Sequence, residues 1–156
     1  MSMVITVEPL FDKDQTCSTI YDISNRYAGD LDLCYYRDRA LSDLKPEEIY
    51  GVVRRIEYEQ DIPGTEVIMR PIHIMRLNKG DCKKKTTLLG SYALLRGIPF
   101  RYACTSKKPD GRIHHIFPQF CINGEYINYD ATYPWYRIGE PKIVTNVEYF
   151  NPVRRI

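Results

Sequence analysis

The 156-residue sequence contains no run of about 18 apolar residues. Its opening stretch, MSMVITVEPLFDKDQ, lacks the basic start and apolar core of a signal peptide. Both absences speak against membrane insertion and export and for a cytoplasmic setting. Cysteine pairs of the CxxC type are missing, and three histidines are too few to complete a zinc set with five widely spaced cysteines. Cys17, Cys34, Cys82, Cys104 and Cys121 are therefore expected as reduced thiols, most of them small apolar core residues. Charge of one sign is also missing: 22 basic and 20 acidic residues leave a net +2, so no global field draws the chain to nucleic acid or lipid. Without repeats, low-complexity tracts or Gly/Ser-rich linkers, residues 1–156 are expected to form a single ordered domain.

Local signals divide this domain into helices followed by strands, which predicts an α+β fold. TVEPLF suits an edge strand, and residues 16–30 a helix capped by Thr16 or Ser18. Lys45-Pro46-Glu47-Glu48 opens a helix whose stripe is Ile49, Val52, Val53 and Ile56, expected to run on to Ile62-Pro63-Gly64. Pro71 interrupts TEVIMRPIHIMRLNKG, so that stretch is expected to be extended or loop-like, with a turn at Asn78-Lys79-Gly80. FRYACTS reads as a strand and KKPDGR as a polar turn. HHIFPQFCINGEYINYDAT reads as a hairpin on a type I′ Asn123-Gly124 loop, its Pro118 suggesting an edge strand or a bulge. A last strand is expected around Lys142 to Val147.

The stretch that carries chemistry is GDCKKKTTLLGSYALLRG, residues 80–97. Asp81 can cap a helix, Leu88, Leu89, Tyr92 and Leu95 supply its apolar face, and Gly97 with Ile98-Pro99 stops it. Cys82 then lies in the first turn, where free N–H groups favour a thiolate, the reactive form of cysteine. Lys83, Lys84 and Lys85 are expected to form a solvated basic face, with the holding of an acidic substrate or partner as the other reading.

A nucleophilic thiol also needs a base and a group to orient it. A two-residue loop at Asn123-Gly124 pairs Ile122 with Glu125 and, if the pairing continues, Phe117 with Asp130 and His115 with Thr132. His115 then shares a face with Asp130, while His114 points the other way with Tyr129 and Ala131. A three-residue loop or a bulge at Pro118 reverses that parity and exchanges the two histidines.

Taken in order, GDC at a helix start, Gly97-Ile98-Pro99, His115-Ile116-Phe117 and Tyr129-Asp130-Ala131-Thr132 resemble the transglutaminase-like superfamily, a branch of the papain-like cysteine enzymes. The resemblance covers roughly residues 64–134. It implies a central antiparallel sheet with the nucleophile's helix packed against it, Cys82 as nucleophile, His115 as general base and Asp130 as the residue that orients it. The activity it implies is acyl transfer on an amide of a peptide or protein through a thioester, without metal or other cofactor. Gln60, Asn78 and Gln119 are candidates for an oxyanion-hole side chain on chemistry alone, beside the backbone N–H of Cys82. Hydrolysis is favoured over protein crosslinking, since so short a chain has little sequence for a deep, water-excluding channel. Small stand-alone domains of this kind resemble bacterial and phage proteins, so the alternative is a non-catalytic module, virion-associated or part of another assembly. Nucleic-acid binding through Lys83 to Lys85, Lys107, Lys108 and Arg112 ranks last, given the near-neutral total charge.

Overall fold

The computed structural model describes residues 5–9, 13–107 and 114–152. Strand β1 (Ile5–Pro9) is followed by helix α1 (Lys13–Tyr27), a 3-10 segment (Ala28–Leu33), the short strands β2 (Tyr35–Tyr36) and β3 (Arg39–Ala40), and helix α2 (Pro46–Arg54). Next come β4 (Glu57–Tyr58), β5 (Thr65–Met69), helix α3 (Pro71–Leu77), β6 (Lys79–Gly80) and helix α4 (Cys82–Arg96). Strands β7 (Phe100–Ser106), β8 (His115–Ile122), β9 (Glu125–Asn128) and β10 (Asn146–Phe150) complete the α+β fold. The main sheet is antiparallel in the order β10-β7-β8-β9. Among the described residues three further two-stranded pairs form, β1-β5, β2-β3 and β4-β6, the last of them parallel.

Helix α4 sits at the centre, packed against α1, α2, α3 and β8. Leu88, Leu89 and Tyr92 are fully buried in one cluster with Ile49 and Val53 of α2 and Phe120 of β8. On another side Cys17, Ile20 and Ile23 of α1 pack with Tyr102, Cys104 and Ile116 of the sheet. Each fully buried aliphatic side chain contributes about 1.5–3 kcal/mol relative to exposure, so the first cluster, with Leu88 and Leu89 inside it, holds α4 against α2 and β8. Leu95, by contrast, is 39% exposed, and the apolar face ends one turn earlier than expected.

Several boundaries differ from the sequence expectations. Helix α1 begins at Lys13, so Thr16 is not a cap; its hydroxyl donates to Glu66 at 2.8 Å. Helix α2 is opened as expected, with the Glu48 carboxylate accepting from the Lys45 N–H at 3.0 Å, but it stops at Arg54. Ile56 is buried beyond the helix end, and Glu57 and Tyr58 pair with Lys79 and Gly80 instead of extending the helix. Pro71 does not break a segment: it occupies the first turn of α3, where its missing N–H costs nothing. Asn78 ends that helix with φ 55°. The last strand starts at Asn146, four residues later than expected.

The hairpin forms as its turn chemistry requires, with Asn123 at φ 53° and Gly124 at φ 80°, and Ile122 opposite Glu125. Pro118 lies in an interior strand, not at an edge or bulge. Its carbonyl accepts from Tyr129 N–H at 3.0 Å, so its nitrogen faces the same neighbour, and the β8–β9 ladder stops at Gln119 and Asn128, just where that donor is missing. Part of the first expected strand, at Leu10 and Phe11, and most of the KKPDGR turn lie outside the described residues.

Candidate functional site

The first turn of α4 is built from the side chain before it. The Asp81 carboxylate accepts from the N–H groups of Lys83 at 3.1 Å and Lys84 at 3.2 Å, leaving the N–H of Cys82 outside the cap. Gly80 permits the close approach this requires: a Cβ there would lie 2.8 Å from the Lys84 Cβ. Cys82 is half-buried, packed against the cluster that holds Cys17 and Cys104. All five cysteines are free thiols, Cys17 and Cys104 touching sulfur to sulfur at 3.4 Å in the core.

The three lysines do not form the solvated face expected of them, nor a surface open to an acidic partner. Lys83 pairs with Asp81 and, at 3.5 Å, with Asp61. Lys84 reaches Asp61 at 2.7 Å, and the fully buried Lys85 donates to the Thr132 carbonyl at 2.7 Å. The buried Asp81 and the half-buried Asp61 thus neutralise Lys83 and Lys84, as buried charge demands. Burial pushes the Lys85 ammonium down to about 8, against the opposing charges of Asp130 and Cys82. The proposed basic surface loses these three members, and Lys108 and Arg112 lie outside the described residues.

His115 opens β8 opposite Thr105 of β7. The expected pairs of Phe117 with Asp130 and His115 with Thr132 do not form, because the ladder has ended. The chain nevertheless brings the side chains together, with Nε2 of His115 2.6 Å from Oδ2 of Asp130. That leaves Nδ1 as the nitrogen available to the Cys82 sulfur. Asp130 is held from several directions: Oδ1 accepts from the Thr132 N–H at 3.1 Å and hydroxyl at 2.6 Å, and Oδ2 also receives the Lys142 ammonium at 3.0 Å. The Tyr50 hydroxyl donates to the Asp130 carbonyl at 2.8 Å.

Charge follows geometry. Burial pulls the His115 imidazolium down, but hydrogen bonds to Asp130 and Cys82, and the charges of both, push it up to about 10. Burial would raise the Asp130 carboxyl, yet His115, Thr132 and Lys142 hold it down at about 2.

Cys82 and His115 line a groove of about 570 Å³ whose walls include Tyr58, Gln60, Trp135 and Lys142. Of the three candidate amides only Gln60 reaches it. Asn78 caps α3 at an exposed position, and Gln119 is engaged by Arg101 and Asn128, each at 2.7 Å. His114 is exposed on the same groove as His115 instead of pointing the other way with Tyr129 and Ala131, because it precedes the first ladder residue. Sequence reasoning missed Lys142, which it assigned to a strand, and the inward turn of Lys85; neither has a local periodicity or spacing that marks it.

Residues 39–131 match the family model of the transglutaminase-like superfamily. The chain belongs to that superfamily. The matched span contains Cys82, His115 and Asp130 and stops before Thr132 and Lys142. No curated protein matches this superfamily member significantly in sequence. A solved structure from Cytophaga hutchinsonii, provisionally described as a cysteine protease, is 15% identical over 97% of the chain with a TM-score of 0.46. The chain spans 64% of that protein's length.

Proposed function

We propose that the protein is a cysteine enzyme that cleaves amide bonds of a peptide or protein substrate through a thioester, with Cys82 as nucleophile, His115 as acid–base and Asp130 as the group that orients it. The observation that carries this reading is the His115–Asp130 contact of 2.6 Å in the groove that also exposes a helix-start cysteine. The Cys82 sulfur attacks the amide carbonyl, forming a C–S bond while the carbonyl π pair moves to oxygen. The Cys82 N–H and the Gln60 amide are the groups suited to receive that oxyanion. As the C–N bond breaks, the His115 imidazolium gives its proton to the departing nitrogen, and neutral imidazole remains. Water, losing a proton to that imidazole, then attacks the thioester and releases the acid and the Cys82 thiolate.

Asp130 keeps the ring in register throughout, and Thr132 and Lys142 keep Asp130 in place. Hydrolysis is favoured over transfer to an amine because the groove at Cys82 opens to solvent, which gives water ready access to the thioester. Glutamine-containing peptides offered with and without a millimolar primary amine test this. Ammonia release or cleavage at a rate indifferent to the amine is expected, and amine incorporation that outpaces hydrolysis would overturn the choice of acceptor.

A further inference from the structure

The groove has one wall that amide chemistry leaves unused. Trp135, the sole tryptophan of the chain, is 67% exposed. Its indole lies nearly parallel to the Tyr133 ring, 4.8 Å between centroids at 8°. Tyr133 in turn rests against Tyr58 at 4.8 Å, and Tyr136 stands edge-on to both Tyr133 and Trp135. Tyr136 lies under the Lys142 ammonium, 3.5 Å from its ring centroid, and that same ammonium holds Asp130. An unbroken set of contacts therefore runs from the indole to the residue that orients His115, and the indole is held with a large area in water. An exposed indole on the surface contributes little to folding; held rigidly at a groove, it suits recognition.

We propose that Trp135, supported by Tyr133, forms a stacking shelf that selects substrates carrying an aromatic side chain in the segment that flanks the reacting amide. This rests on the amide-cleaving reading above. Next to Tyr136, Lys142 is taken by Asp130 and, at 3.8 Å, by Glu140, so this pair offers no free charge to a substrate and favours an uncharged flat group. A sugar ring would also stack on an indole, and a sugar is therefore the competing ligand that the test includes.

The sole tryptophan is its own reporter. With Cys82→Ser protein, which cannot turn over, blocked peptides Gly-Phe-Gln-Gly and Gly-Ala-Gln-Gly and the sugar chitotriose are titrated while indole emission is followed. The Phe peptide is expected to change the emission saturably, with an apparent affinity about tenfold tighter than the Ala peptide. In the active enzyme, the preference in kcat/KM for Phe over Ala peptide should fall to within about twofold in Trp135→Ala and be largely restored in Trp135→Phe. Equal affinity for the two peptides, tighter binding of chitotriose, or a preference that survives Trp135→Ala would overturn the shelf. Failure of the amide-cleaving reading would show separately, as absence of turnover in the unsubstituted enzyme, while the emission titration would still decide the shelf.

Discussion

Replacing Asp130 by Asn removes the charge that holds His115 as imidazolium while keeping the size of the side chain. The ring is raised from its ordinary 6.5 to about 10, and each pKa unit is worth about 1.4 kcal/mol of preference for the charged form. Asp130 shares that effect with Cys82, and the imidazole keeps 25% of its surface in water. Roughly half the gross effect, about 2 kcal/mol, is then assigned to the carboxylate. The sign follows from linkage. A group whose pKa is raised on folding stabilises fully below its unfolded value, here near 6.5, and that stabilisation is lost as pH climbs toward 10. Urea unfolding of the two proteins should therefore differ most near pH 6, by about 1 M in midpoint for a chain of this size, and the gap should narrow toward pH 10. A residual gap at pH 10 is expected from the Lys142 ammonium, which loses its 3.0 Å partner in the variant. A gap of constant size from pH 6 to 10 would refute the assignment of the imidazolium to Asp130.

Gly80→Ala places a Cβ 2.8 Å from that of Lys84, so the start of α4 must shift; a loss of about 1–3 kcal/mol is expected in thermal unfolding, together with slower alkylation of Cys82. His115→Ala should abolish turnover, whereas His114→Ala should retain the pH dependence of Cys82 alkylation; the opposite pattern would mean that the wrong imidazole has been paired with the sulfur. Lys142→Met leaves Asp130 Oδ2 to His115 alone, and the basic limb of the pH–rate profile should move up by about one unit, with Lys142→Arg close to the unsubstituted enzyme. An unmoved limb in Lys142→Met would reduce Lys142 to a packing role.

The parts of the site that could be read from sequence are those set by neighbouring residues. Asp81 and Gly97 bracket α4 because capping acts within one turn. Asn123-Gly124 sets the hairpin register as far as Gln119 and Asn128, and beyond it the His115–Asp130 contact is made by side chains outside the ladder. What stayed hidden depends on partners far along the chain. The lysine triplet reads as surface because its counter-charge includes Asp61, 23 residues before Lys84, which the sequence places at the end of a helix that stops at Arg54 instead. Pro71 and Pro118 carry local rules with two outcomes, and tertiary pairing selects a helix start for one and an interior strand for the other. Lys142 reaches Asp130 from a segment without regular structure, where neither period nor turn chemistry marks a residue.

The central claim is that Cys82 forms the covalent bond. Brief reaction with a slowly released glutamine ester or with substoichiometric iodoacetamide, followed by intact mass and peptide mapping, tests it directly. The expected result is one adduct per chain on the peptide that carries Cys82, lost in Cys82→Ala and slowed in His115→Ala. Labelling that favours Cys17, Cys34, Cys104 or Cys121, or an adduct on Cys82 that forms equally fast without His115, would contradict it.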